Sequence, residues 1–414
     1  MLARLPMPGG GRIWAPGRIL GRRYARREIS REELWGLKDD LAGQQIWPPE
    51  TASSGSHPNG ILMNLVLFGY PKTGKTTLFN LLTGQQADTS KFTSRQPDLH
   101  QAITPVPDPR LDRLAALYQL PAVPAAIQFM DTGPVAYGDA KSSTFLEVLR
   151  KADGLVHVIR GFEDPEILHS QGRVDPLSDL KHMHEELRTT DYISVEARLE
   201  KLMQERKKGK DPVQERETEV LTKIKAELEK QIPLQKIPLS PAEDKVIRGF
   251  NFLTHKSLIN LINSDDQHYH RLLKLEEEIA NTSVSCLQIE RELLELDPVE
   301  RPLFEKEFGL ENYRYLKDFF IKGCYRALGL ISFFTIGDRE IKAWTTAEDT
   351  SAYLAAGKIH SDIQDGFIRA EVIPWQDLVE EGGLVNARKK GSVRLEGKDY
   401  PVHDGDVIQF RFNR

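Results

Sequence analysis

From residue 61 onward, short apolar runs alternate with stretches of helical periodicity. The runs "ILMNLVLF", "AAIQFMD", "GLVHVIR", "SLINLIN" and "SVSCLQI" predict strands, whereas "KTTLFNLLT" and "STFLEVLRKA" predict helices. Alternation of this kind specifies an α/β fold, a mostly parallel sheet covered by helices.

A charged stretch interrupts the pattern from roughly 188 to 232, where Val195, Leu199 and Leu202, then Leu221, Ile224 and Leu228, recur at helical spacing. Two antiparallel helices fit, turning at "KKGKDP"; the basic cluster with Lys207, Lys208 and Lys210 reads either as a solvated tip or as a contact for RNA. Ser240 then caps a new helix, with Pro241 at its first position and Glu243 closing a capping box, and this helix leads back into "SLINLIN". After residue 330 the texture changes: alternation at Val393 and Leu395, turns at Glu396-Gly397 and Asp404-Gly405, and a last strand through Val407 and Phe412 predict a small sheet-rich domain. The first sixty residues, rich in Gly, Pro and Arg, read as a poorly ordered extension with one short helix capped by Ser30, and Met63 would be a natural start for the folded part. The expected organisation is therefore an extension at 1–60, a nucleotide-binding domain at 61–187 and 240–329, a helical insertion at 188–239 and a C-terminal domain at 330–414.

Composition narrows the class without naming it. A net charge of -5 leaves any nucleic-acid contact to local basic patches. The two cysteines, Cys286 and Cys324, cannot make a disulfide framework and fit a reducing cytosol as plain core thiols. No apolar run approaches the ~20 residues that span a bilayer, so no membrane partner is expected.

The chemistry starts at "GYPKTGKTT". Gly69, Gly74, Lys75 and Thr76 complete the pattern GxxxxGK[ST] between a strand and a helix. Glycines let the backbone wrap phosphates, Lys75 reaches the outer phosphates, and Thr76 offers a hydroxyl to Mg2+. "IQFMDTG" ends a strand in Asp131, where a second metal-directed carboxylate belongs, with a loop-capping aspartate as the plainer reading. No glutamine follows closely to orient water, so hydrolysis should be slow. "LINLINSDD" places Asn263 and Asp266 three apart at another strand end, a weak form of the base-reading Asn-Lys-x-Asp pattern with Ser264 at the lysine position; helix capping is the alternative.

Together with these, "PVPDPRLDRLA", "FEDPEILHSQGRVDPLSDL", "GLISFFTIGDREIKAWT", "AAGKIHSDIQDGFIRAEVI" and "VRLEGKDYPVHDGDVIQFRFN" resemble the Obg-like ATPase family, also called YchF, over residues 63–414. The resemblance implies a P-loop G-domain of the translation-factor class, a coiled-coil insertion and a C-terminal β-grasp (TGS) domain, in cytoplasmic proteins that prefer ATP to GTP and associate with ribosomes. By position it assigns Lys72, Thr73, Gly74, Lys75, Thr76 and Thr77 to phosphate binding, Thr76, Asp131 and Thr93 to magnesium, and His169 to assisting hydrolysis. Departures from the family are equally plain: "KTGKT" replaces "NVGKS", "DTGPVAYGDAKSS" shortens the second switch so that its glycine becomes Gly133 or is replaced by Pro134, and Asn-x-x-Glu becomes Asn263 to Asp266. The expected function is Mg2+-dependent binding and slow hydrolysis of ATP or GTP, with ATP favoured and ribosomes or structured RNA, but not DNA, as partners. The alternatives are a nucleotide-holding scaffold, a GTPase and, last, a kinase of a small metabolite.

Overall fold

The computed structural model describes residues 62–85, 87, 100–132, 143–169, 172–207, 211–297, 300–307 and 314–413. Expectations placed on the first sixty residues, on Thr93, on Gly133 and Pro134 and on Lys208 and Lys210 fall outside the described residues.

One compact unit comprises residues 56–287 and 316–414. Its first part runs β1 (Met63–Phe68), α1 (Lys75–Thr83), β2 (His100–Pro105), α2 (Pro109–Tyr118), β3 (Ala122–Val123), β4 (Ala126–Asp131), α3 (Ser143–Lys151) and β5 (Gly154–Gly161). It continues through the long helices α4 (Pro176–Arg206) and α5 (Pro212–Glu229), then α6 (Pro241–Ile247), β6 (Ser257–Ser264), α7 (Tyr269–Glu278) and β7 (Thr282–Ser285). The six strands β2-β4-β1-β5-β6-β7 form one sheet, parallel except where β2 runs antiparallel to β4. In this register Leu67 of β1 lies between Asp131 of β4 and Val156 of β5, so the ends of the central strands open at one edge. Every residue of β5 is buried, as a central strand covered on both faces requires. Leu65, Leu67, Val156, Val158, Ile259 and Leu261 pack on one face, and Val66, Phe68 and Leu155 join Leu149, Met183 and Leu187 on the other. Burying one such side chain stabilises the fold by about 1.5–3 kcal/mol.

"SVSCLQI" is not one strand. Pairing stops at Ser285 and a helix, α8 (Leu287–Glu295), begins at once; buried positions Leu287, Glu290 and Leu293 recur every three residues, a helical period that outweighs the apolar run. The Leu287 amide donates to Asn263 Oδ1, which turns the chain out of the sheet.

The charged stretch does form an antiparallel helical pair. Its first helix begins at Pro176, earlier than the apolar spacing indicates, because Asp175 accepts from the Ser178 amide and sets up a proline-led start. Val195, Leu202, Val220, Leu221, Ile224 and Leu228 make its seam, and Arg198–Glu217 and Lys225–Glu196 ion pairs flank it. Fully buried Asp191 fastens the pair to the approach to β6 by accepting from the Leu253 amide, the Thr254 amide and Thr254 Oγ1. The capping box of Ser240 and Glu243 is present as the sequence indicates.

Residues 288–315 belong to a second unit. There Leu293, Leu296 and Phe304 cluster between the end of α8 and α9 (Glu300–Glu307).

Returning to the first unit, α10 (Leu316–Ala327) leads into a second sheet, β8 (Leu330–Ile336) and β9 (Ile341–Ala347) with β10 (Phe367–Pro374), β11 (Arg394–Glu396) and β12 (Asp406–Phe412). The order is β11-β10-β12-β8-β9-β3, so two residues from the first half of the chain supply its last strand. Arg110 of α2 bridges Asp108 and Asp404 and lies over the Phe334 ring, while Tyr118 accepts from the Leu384 amide. Cys286 and Cys324 are both buried. Among the described residues no helix is long and apolar enough to cross a membrane.

Candidate phosphate-binding site

The loop from Gly69 to Gly74 joins the buried end of β1 to α1. Its two glycines are required by geometry. Gly69 has φ +145°, and a Cβ there would lie 2.4 Å from the Val158 carbonyl oxygen; Gly74 has φ +102°, and a Cβ would lie 2.5 Å from Asn263 Nδ2. Between them Lys72 is exposed and left-handed at φ 60°, a conformation that disfavours ordinary side chains by about 1–2 kcal/mol.

Lys75 Nζ donates to the loop's own carbonyls, Gly69 at 2.9 Å and Tyr70 at 2.7 Å. Burial pushes its pKa down to about 8, against the pull of Asp131. Phosphate oxygens entering the loop would replace neutral carbonyl acceptors with anionic ones and favour the charged ammonium. Thr73 Oγ1 donates to the Tyr70 carbonyl, and Thr77 is half-buried on the first turn of α1.

Thr76 and Asp131 meet beside Lys75: the hydroxyl donates to Asp131 Oδ2 at 2.7 Å, with Thr76 7% and Asp131 1% exposed. A hydroxyl and a carboxylate side by side are hard oxygen donors of the type Mg2+ selects, and one or two protein oxygens suffice when phosphates complete the shell. Among the described residues no group of three His, Cys, Asp or Glu side chains forms a cation site.

Asn263 joins this cluster as a support. Its Nδ2 donates to the Thr73 carbonyl at 3.0 Å and its Oδ1 accepts from the Leu287 amide, so one side chain ties β6 to the phosphate loop. Asp266 is exposed after the end of β6. Its neighbour Asp265 carries that turn, accepting from the Glu163 amide at 3.1 Å and from the His268 amide at 2.7 Å.

His169 is bound to the first turn of α4. Its Nε2 meets Asp179 Oδ2 at 2.9 Å, with the two side chains 5% and 2% exposed. Burial raises the Asp179 carboxyl above its usual range, and His169 draws it back. Sequence reasoning missed Asp179 and also Arg160, a guanidinium at the end of β5 that donates to the Phe162, Asp164 and Ile167 carbonyls. The signal for Arg160 was an arginine closing the otherwise apolar "GLVHVIR", and Asp179 carried none beyond its place in a first helical turn. His157 of β5 stacks on Phe68, and burial holds its imidazole neutral, well below the ordinary histidine pKa.

Residues 64–198 match the family described as 50S ribosome-binding GTPase, and residues 330–413 match YchF-GTPase_C, described as a protein of unknown function. The chain is 36% identical to the ribosome-binding ATPase YchF of Bacillus subtilis over 84% of its own length and 98% of that protein's. It is 33% identical to Obg-like ATPase 1 of Pongo abelii, over 88% of this chain and 98% of the relative. The solved structure of the Schizosaccharomyces pombe YchF GTPase superposes with a TM-score of 0.72 at 28% identity, covering 86% of this chain and 99% of that one.

Proposed function

The chain belongs to the YchF family of P-loop NTPases, and on that premise we propose that it binds ATP and GTP in the loop Gly69–Thr77, hydrolyses them slowly with Mg2+, and relays its nucleotide state to ribosomes or structured RNA. The observation that carries this reading is the convergence of Lys75, Thr76 and Asp131 at the mouth of a glycine-shaped loop. Gly69, Lys72, Thr73, Gly74 and Thr77 cradle the phosphates, and Lys75 neutralises the outer ones. Thr76 and Asp131 would hold the magnesium ion, which supplies charge neutralisation on the phosphate oxygens. His169 assists hydrolysis from its loop. The ribosome enters because the bacterial relatives are named ribosome-binding ATPases.

Base choice is the narrow point. A carboxylate at Asp266 pairs with the two neighbouring donors of guanine, whereas adenine offers one donor beside an acceptor. Asp266 is exposed, Ser264 replaces the lysine that packs on guanine, and Asn263 is committed to the loop. One hydrogen bond is worth about 0.5–1.5 kcal/mol, which limits the preference to roughly tenfold either way. The reading is dual binding with modest ATP preference. Competition of ATP and GTP against a fluorescent nucleotide tests it, and a hundredfold preference for GTP would show that Asp266 dominates.

A further inference from the structure

Among the described residues, the loop that leaves β5 and enters α4 is fastened through Arg160, Asp265 and Asp179. Arg160 gathers the Phe162, Asp164 and Ile167 carbonyls under one guanidinium and stacks on Phe162, 4.6 Å from the ring centre. The Glu163 amide is held by Asp265. His169 is held by Asp179.

The third fastening decides where His169 can act. Asp179 lies in the first turn of α4, and the next residue, Leu180, packs with Ile159 of β5, Ile262 of β6, Leu272 of α7 and Val284 of β7. Lys75, Thr76 and Asp131 meet at the ends of β1 and β4, with Asn263 of β6 against the same loop. The His169 side chain is only 5% exposed and its Nε2 is taken by Asp179, so that nitrogen cannot meet a nucleotide without first leaving the carboxylate.

We propose that Asp179 is a positioning residue for His169: it holds the imidazole against the first turn of α4, and His169 must exchange this carboxylate for the nucleotide before it assists hydrolysis. This rests on the reading of His169 as the hydrolytic histidine. Both side chains are almost fully buried, so water competes little for the bond between them, and Arg160 keeps the loop compact so that His169 returns to the same partner. The fraction of molecules with His169 released then limits turnover, while nucleotide affinity, set by the phosphate loop, is independent of it.

The test compares steady-state ATP hydrolysis by the full chain carrying Asp179→Asn, Asp179→Glu, His169→Ala, or His169→Ala with Asp179→Asn. Losing one charge-assisted hydrogen bond shifts the open population about tenfold, so Asp179→Asn should raise kcat by up to that factor with KM unchanged. Asp179→Glu should stay near wild type, and the double variant should lose the gain. A folded Asp179→Asn protein with kcat at or below wild type overturns the proposal. If His169→Ala alone leaves kcat unchanged, the hydrolytic reading of His169 fails, and the fastening is read separately by tryptic cleavage at exposed Arg173. Faster cleavage in both Asp179→Asn and His169→Ala supports a loop held by this pair. Cleavage at the wild-type rate in either variant overturns it, and the histidine variant serves should the aspartate variant not fold.

Discussion

Thr76 and Asp131 are 55 residues apart in sequence, yet the hydroxyl of one donates to the carboxylate of the other at 2.7 Å. The bond joins the first turn of the helix after the phosphate loop to the end of a neighbouring strand. If the pair holds magnesium, Asp131→Ala should remove the metal dependence of nucleotide binding. The ratio of ATP affinity with Mg2+ to that with a chelator should fall toward one in the variant, and an unchanged ratio would count against the assignment.

Gly74→Ala should eliminate triphosphate binding. The added Cβ would press on Asn263 Nδ2 at 2.5 Å and occupy a positive φ, so the loop and its support cannot both keep their places. Calorimetric titration of the folded variant with ATP checks this, and wild-type affinity would contradict it.

Asn263→Ala should weaken ATP and GTP by similar factors. It removes the bonds to the Thr73 carbonyl and the Leu287 amide and so acts through the loop rather than through the base. The expected cost in stability is about 1–3 kcal/mol, from partners left unsatisfied in a buried place. Denaturant unfolding and parallel titrations measure both effects; selective loss of one nucleotide would assign Asn263 to base recognition instead.

Much of this site was legible in the chain because a phosphate loop is local. Gly69, Gly74, Lys75 and Thr76 act within one turn of backbone, and Asp131 is marked by the strand it ends. The sheet was legible for the same reason, since strand and helix periods differ over a few residues. What escaped depends on partners brought together by the fold. Asp179 and His169 are joined across a loop, Asp265 rather than Asp266 carries the turn after β6, and the two-residue strand Ala122–Val123 exists because Ile341 and Lys342 offer it an edge. "SVSCLQI" misled because an apolar run cannot say where pairing stops.

The capping box on α6 should give stability a pH dependence. The Ser240 amide, with help from Lys223, holds the Glu243 carboxyl down at about 2. A carboxyl depressed on folding stabilises above its unfolded pKa of 4.5 and loses that contribution as pH falls toward 2. The melting-temperature difference between wild type and Glu243→Gln should therefore be full near pH 6 and shrink between pH 4.5 and 2, within the window those two values set. A difference that does not change across that window would contradict the role given to Glu243.

The account stands most directly on single-turnover cleavage of ATP by the full chain, followed with and without ribosomes and repeated with Lys75→Ala. It predicts slow phosphate release by the wild type, acceleration by ribosomes, and loss of both nucleotide binding and cleavage when the Lys75 ammonium is removed. ATP binding and turnover that persist unchanged in a folded Lys75→Ala protein would contradict it.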